Sequence, residues 1–381
     1  MANFVTANAD LAKFLAEAPI ETDRHGNVFA DLQDMQFRLR SADEKDVVSD
    51  TWPGGRVPYF FDDDVTQQNR DRFREATRFW SLRANLVFEE LPMKPVADAD
   101  HVLVYNSTGN SATVGYAGGE QYLRMKNWST QVVIIHEIAH TLGLIHEQCR
   151  SDRDDHVTVD IDNVLEDFKH NFRKLEGNVP QGPYDFASIM QYGLFDFAKE
   201  PTAGNTKKPT IRVKDPFGEF AFLCGQRRFT SYVDTAAIGD VYGRTAFADY
   251  LRIDARDWPA AKIEHRIEGL QDAAKGAIYV DLAVPGPDTV SRVVVTTTSA
   301  SGGDCDLYSR RVPIRQPSDW DGRTVFGSPL RYFRRSAGKT NEEKLDMPNG
   351  PANAPAVRYP LMLHAHAAYR DVTLTIALVR R

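Results

Sequence analysis

The chain has 381 residues, 42% of them hydrophobic and 26% charged, a balance that suits a globular protein of about two domains and argues against disorder. With 46 Lys and Arg against 53 Asp and Glu the formal net charge is -7, so the basic footprint of a nucleic-acid binder is missing. No apolar run reaches the roughly 18 residues of a membrane span, and Met1–Ile20, with Asp10 ahead of Lys13, reads as an amphipathic helix and not as an export signal. The three cysteines, Cys149, Cys224 and Cys305, are too few and too scattered for a disulfide framework or a cysteine-based zinc site, and allow at most one internal bridge.

Residues 1 to about 50 are polar, with two short helical patterns, no convincing strand, and an acidic stretch, Ser41 to Asp50, that reads as a linker. At Trp52 the character changes. Pro53-Gly54-Gly55 is a turn, Val57 to Phe61 a strand, and Phe73, Ala76, Thr77 and Trp80 recur at the spacing of one helix face. A strand over His101 to Tyr105 and a Gly-rich bend over Gly115 to Gly119 follow, then a helix from about Ser129 or Thr130, either of which suits its N-cap. Pro201 to Pro209 has the composition of a surface loop. Beyond Ala248 the runs Ala277 to Val284, Arg292 to Thr298 and Asp371 to Leu378 are strand-like; they predict a separate β-sandwich, with an extension of one large domain as the alternative.

The string His136-Glu137-Ile138-Ala139-His140-Thr141-Leu142-Gly143-Leu144-Ile145-His146-Glu147 carries the chemistry. On a helix, His136 and His140 lie one turn apart on the same face and can grip one ion. Gly143 accepts a left-handed conformation, so the helix can stop and the chain can bend to bring His146 to the same metal. Three neutral imidazoles leave zinc an open position for water, whose pKa falls to about 7 there, and Glu137 is placed to act as general base. A bare His-Glu-x-x-His match occurs by chance; the constrained Gly and the third His make this one specific.

With these residues in view, the sequence resembles the astacin family of metzincin zinc peptidases over about Trp52 to Tyr242. Trp52-Pro53-Gly54-Gly55-Arg56-Val57-Pro58-Tyr59 echoes the family's opening, and Glu147 with Arg150-Ser151-Asp152-Arg153-Asp154 continues its zinc string. Tyr184-Asp185-Phe186-Ala187-Ser188-Ile189-Met190-Gln191-Tyr192-Gly193 is similar to its methionine turn. The resemblance implies that Met190 lies under the metal and that Tyr192 is both a weak extra ligand and a catalytic donor to the developing oxyanion. It further implies that Glu147 meets the amino terminus of a matured enzyme, formed by an activating protease near Trp52. Leu32-Gln33-Asp34-Met35-Gln36-Phe37 is similar to the precursor segment whose aspartate silences the zinc, which makes Asp34 the candidate latch and Asp31 the second choice.

Two departures stand out. Gln191 replaces the usual His of the turn, and the family's cysteine pairs are missing, with Asn110, Trp128 and Arg244 standing about where they belong. Residues 263–381 resemble the bacterial pre-peptidase C-terminal domain through Gly303-Asp304-Cys305-Asp306-Leu307-Tyr308 and Asn341-Glu342. Asp304 and Asp306 are candidate calcium ligands there, with solvated turn carboxylates the plainer reading.

The sequence therefore predicts an α+β metzincin-like, zincin-like catalytic domain with a twisted mixed sheet and a zinc helix over 52–247. A pro-segment-like region over 1–51 precedes it, and a 248–262 linker and a β-sandwich over 263–381 follow. The expected function is a zinc-dependent endopeptidase made as a latent zymogen, secreted as the resemblance implies, acting on a polypeptide extended along an edge strand near Ser111 to Tyr116. The alternatives are a non-catalytic zinc-containing binding or adhesion protein and a zinc hydrolase of a non-peptide amide.

Overall fold

The first fifty residues hold more strand than their composition predicts. After a short helix, α1 (Ala9–Phe14), they form β1 (Ile20–Thr22), β2 (Val28–Leu32) and β3 (Met35–Leu39), which corrects the expectation of helical patterns without strands. The three are antiparallel neighbours, and β3 joins a larger sheet, so their strand conformation comes from pairing that no local alternation announces. The turn between β2 and β3 is tight: Leu32 pairs with Met35, and Gln33 takes a positive φ of 68°.

The computed structural model describes residues 9–15, 18–23, 26–39, 50–96, 98–176, 184–201, 206–228, 230–245, 251–274, 276–299, 302–309, 312–313, 334–336, 341–349 and 357–381. The acidic stretch before Asp50, residues 202–205 of the expected surface loop and residues 248–250 of the expected linker lie outside these. The chain divides into two compact units, one of residues 1–227 and 233–245, the other of residues 228–232 and 246–381.

In the first unit, β4 (Arg56–Phe61) follows the Pro53–Gly55 turn. At Gly55, φ is 69°, and a Cβ would come within 2.2 Å of the Asn85 carbonyl oxygen, so no other residue fits. Helix α2 (Gln67–Ser81) starts at Thr66, whose hydroxyl accepts from the Asn69 amide at 3.3 Å, and it buries the predicted Phe73, Ala76, Thr77 and Trp80 with Phe79. Then come β5 (Val87–Glu90), β6 (His101–Asn106), β7 (Ser111–Thr113), β8 (Glu120–Met125) and helix α3 (Gln131–Thr141).

Eight strands form one mixed sheet in the order β1-β2-β3-β7-β8-β6-β4-β5. Within it β4 runs parallel to β5 and β6, and β6 parallel to β8, while β7 is antiparallel to β8. The outer flank of β7 is taken by β3, in parallel, with Met35 opposite Ala112 and Gln36 opposite Thr113. A two-stranded ribbon of β9 (Val157–Val159) and β10 (Ile211–Val213) and helix α4 (Tyr232–Tyr242) complete the secondary structure that positions the site.

The second unit is built of strands: β11 (Leu251–Asp254), β12 (Glu264–Asp272), β13 (Ala277–Val284), β14 (Val290–Thr298), β15 (Asp304–Ser309), β16 (Val312–Pro313), β17 (Arg334–Ser336), β18 (Glu343–Pro348), β19 (Val357–Ala367) and β20 (Tyr369–Arg380). A six-stranded sheet runs β11-β13-β19-β15-β17, with β16 beside β19, and a four-stranded sheet runs β12-β20-β14-β18. Both sheets send side chains into one cluster, Val280, Leu282, Leu361 and Leu363 from the first and Val293, Val295, Leu374 and Ile376 from the second. In β20 these buried residues fall at every second position, the periodicity of a half-buried strand.

Candidate metal centre

Helix α3 is apolar nearly all round, and Val132 and every residue from Ile134 to Thr141 are buried, which pins both imidazoles of the string. Thr130 occupies the N-cap position, but its side chain makes no capping bond, unlike the one the sequence predicts. The other end is closed by a Schellman motif: Gly143, at φ 108°, donates to the His140 carbonyl at 2.8 Å and Leu144 to that of Ala139 at 2.9 Å. The last free carbonyls find tertiary donors. Trp52 Nε1 reaches Thr141 at 2.8 Å, and the Tyr242 hydroxyl reaches Leu142 at 2.9 Å.

His136, His140, His146 and Asp34 each place a ligand atom within 4.8 Å of all the others. His136 Nδ1 lies 2.7 Å from the Ile189 carbonyl and His140 Nδ1 2.7 Å from that of Leu144, so in each ring Nδ1 carries the proton and Nε2 is a bare lone pair. Those two Nε2 atoms face each other across 3.1 Å. Two acceptors at that distance repel unless a cation sits between them. His146 contributes a further Nε2 with no protein hydrogen-bond partner. Three buried neutral imidazoles and a carboxylate are the donor set of zinc, and the residues fit that ion.

Asp34 completes the cluster, with one oxygen 3.4 Å from His136 Nε2 and the other 3.3 Å from His146 Nε2. Burial pushes its carboxyl up, but the neighbouring imidazoles, His146 foremost, outweigh it and hold the pKa well below the usual range. Burial lowers His136, and burial with the neighbouring imidazoles lowers His140 well below an ordinary histidine. Both stay neutral and ready to ligate. Asp31, the second choice for the latch, is not a member of the cluster.

Glu137 is 1% exposed, and its Oε2 has no hydrogen-bond partner. Burial, then the Asp34 charge, pushes its carboxyl well above the ordinary value, against an opposing pull from Arg227. Tyr192 is buried with its ring 4.5 Å from that of His146, but its hydroxyl points to Gln33 Oε1 at 3.4 Å. Met190 is 1% exposed, and its carbonyl accepts from the Glu147 amide at 3.0 Å. Glu147 is itself buried and is already bonded to Arg150 Nη1 at 3.1 Å and the Asp185 amide at 2.8 Å, while the Trp52 amide donates to the Tyr242 hydroxyl at 3.2 Å.

Sequence reasoning passed over two residues that the tertiary structure brings to the site. Asp234, on the first turn of α4, accepts from the Ser188 hydroxyl at 2.5 Å and the Ile189 amide at 3.0 Å, and so holds the methionine turn under α3. Arg227 donates to the carbonyls of Gln191 and Gln226, at 3.4 and 3.0 Å, and its charge acts on Glu137, His136 and Tyr192. Neither stands in a recognisable spacing with the histidines, so no local signal identified them.

The departures are absorbed locally. Gln191 bridges the Tyr184 hydroxyl at 2.6 Å and the Tyr192 carbonyl at 3.0 Å. Asn110 accepts from the amides of Lys126 and Asn127 at 2.8 and 2.9 Å, Trp128 Nε1 donates to Asn106 at 2.7 Å, and Arg244 pairs with Asp240. The three cysteines are free thiols. Asp304 and Asp306 lie on strand β15, not in a turn, and Asp306 accepts from the Tyr308 hydroxyl at 3.0 Å.

The model of the astacin family, peptidase family M12A, matches residues 44–243. Zinc metalloproteinase nas-38 of Caenorhabditis elegans is 31% identical over 196 residues, 50% of this chain and 25% of that protein. Low choriolytic enzyme of Oryzias latipes is 29% identical over 189 residues, 49% of this chain and 65% of that protein. Among solved structures, high choriolytic enzyme 1, a hatching enzyme zinc-protease of the same fish, aligns at 25% identity over 51% of this chain and 93% of its own, with a TM-score of 0.43. The match thus spans less than two thirds of the length of these curated relatives. No helix among the described residues is long and apolar enough to cross a membrane.

Proposed function

This chain belongs to the astacin family, and from that premise we propose that it is a zinc-dependent endopeptidase, held latent here by its own amino-terminal segment. The observation that carries the reading is the pair of deprotonated Nε2 atoms, on His136 and His140, facing each other 3.1 Å apart beside a buried carboxylate with an unpartnered oxygen, Glu137. His136, His140 and His146 are the ligands, and Tyr192 is the additional one. Zinc in this position polarises the scissile carbonyl and acidifies water.

Glu137 takes a proton from the attacking water and delivers it to the leaving amine, and its burial beside the imidazoles suits a group that must hold that proton between the two steps. Tyr192 donates its hydroxyl to the developing oxyanion once released from Gln33. Met190 supports the ligands from below, and Gly143 makes the bend that returns His146. Asp34 is the latch, because its carboxylate fills the space among the imidazoles that a substrate and its water need. Removal of residues 1–51 by an activating protease frees the site, and Glu147 then receives the new terminus in exchange with Arg150. The substrate is an extended polypeptide on the β7 edge.

Residues 263–381 are read as a β-sandwich related to the pre-peptidase C-terminal domain, supported by the two sheets that share one core. An extracellular location belongs to the same reading. The test is cleavage of a denatured protein by the purified chain, with and without limited proteolysis, alongside a chelator and Glu137→Ala. Cleavage indifferent to both controls assigns the activity elsewhere.

A further inference from the structure

The apolar cluster beside the third histidine is shared unequally between two parts of the chain. Among the described residues, Val114, Ile145, Cys149 and Leu175 are its buried members beyond residue 52, and the other buried members lie between Leu11 and Leu39. The four form a patch on the zinc side of β7: Val114 directly follows that strand, Ile145 precedes His146, and the Leu175 amide donates to the Cys149 carbonyl at 2.7 Å. Among the described residues, the buried residues of the cluster that cover them all come from the segment that the latent state holds in place.

The way β3 sits on the patch resembles how an extended peptide adds to a sheet edge. The amides of Ala112 and Val114 donate to the carbonyls of Asp34 and Gln36, both at 2.8 Å, and alternate side chains, Met35, Phe37 and Leu39, enter the cluster. Gln36 turns the other way, toward Glu21 at 3.4 Å. Any chain that replaces β3 must satisfy the same two amides, since buried donors are costly to leave unbonded, and its alternate side chains then meet the same four residues.

We propose that Val114, Ile145, Cys149 and Leu175 form a substrate side-chain subsite that selects polypeptides with large apolar residues (Met, Phe or Leu) at alternate positions on the β7 side of the scissile bond. The inference deepens the peptidase reading and rests on it. The four side chains themselves offer no charge to pair with, so an acidic or basic residue placed among them is desolvated and disfavoured.

The experiment uses the full chain activated by limited proteolysis within residues 41–49, with release of the amino-terminal piece checked by intact mass, on a denatured proteome with and without chelator, reading the residues around each new cut. Chelator-sensitive cuts with Met, Phe and Leu enriched about fivefold or more at one or two alternate positions on one side are expected. Chelator-sensitive cuts without such enrichment overturn the subsite and leave the peptidase reading standing; absence of chelator-sensitive cuts overturns both. Leu175→Gln is the matched variant: the ratio of cleavage of a peptide with Leu at the enriched position to one with Gly there should fall about tenfold, 1.4 kcal/mol of preference. If that variant does not fold, the near-isosteric Val114→Thr reads the same ratio, and an unchanged ratio in a folded variant overturns the assignment.

Discussion

Asp34 lies with one carboxylate oxygen 3.3 Å from His146 Nε2, although 112 residues of chain separate the two. The contact is made possible by the tight turn at Gln33, which carries the aspartate at the tip of the β2–β3 hairpin into the cluster of imidazoles. A carboxylate enclosed by three imidazoles is strongly bound to its place, and its loss is felt by its partners.

Replacing Asp34 by Ala should therefore free the site without removing a ligand imidazole. Full-length Asp34→Ala is expected to cleave a denatured protein at least about tenfold faster than the full-length parent, an effect of 1.4 kcal/mol or more on the latent state. Equal, silent preparations of both would assign latency to another contact.

Glu137→Gln should abolish cleavage by a factor on the order of a hundred or more, the usual contribution of a general base. Zinc content measured by elemental analysis should not change, because the carboxylate is not counted among the imidazole ligands. Loss of metal together with activity would reassign Glu137 to the coordination sphere.

Arg150 and Glu147 form an ion pair in which neither side chain is more than 2% exposed. Arg150→Ala leaves the carboxylate buried and unpaired, and should cost about 3–5 kcal/mol of stability in urea unfolding. Adding Glu147→Gln should recover part of the loss, because the neutral amide no longer needs the guanidinium.

Asp31 gives the amino-terminal hairpin a pH dependence. Burial, then the neighbouring Glu21 carboxylate, raises its pKa from 3.8 to about 6, with Arg124 pulling the other way. The folded segment thus favours the protonated acid: its hold is strongest below the ordinary value of 3.8 and weakens as pH rises through about 6. Asp31→Asn should flatten this change, so that the variant gains in Tm over the parent between pH about 4 and about 7. A constant difference in Tm across that range would show that Asp31 does not titrate there.

Chelation should lower the Tm of Asp34→Ala more than that of the parent, since in the parent the carboxylate, 3.4 and 3.3 Å from His136 and His146 Nε2, can pair with either ring once it takes up a proton in place of the ion. Zinc at a thousand times its Kd stabilises the native state by about 4 kcal/mol, and that contribution is lost on removal. Differential scanning fluorimetry of the two proteins with and without chelator reads the comparison.

Much of the site was legible because its signal is local. His136, Glu137, His140, Gly143 and His146 sit within one helix and the bend after it, where a turn of 3.6 residues sets the spacing and a glycine at φ 108° is the only special conformation required. The faces of α2 and β20 were legible for the same reason, since burial repeats with the period of the element. Met190 and Tyr192 were reached through a resemblance, not through any period.

The rest depended on contacts between distant parts of the chain. Ile20–Thr22, Val28–Leu32 and Met35–Leu39 are strands because β3 finds β7, and Arg227 and Asp234 matter because a loop and the first turn of α4 pack under α3. Sequence alone determined which three imidazoles come together and which carboxylate stands next to the first of them, because short-range geometry places all four. Only tertiary structure decided that Asp34 meets those donors and that β3 covers the β7 edge, because pairing across a hundred residues is selected by burial and by unsatisfied backbone amides, neither of which leaves a period in the chain.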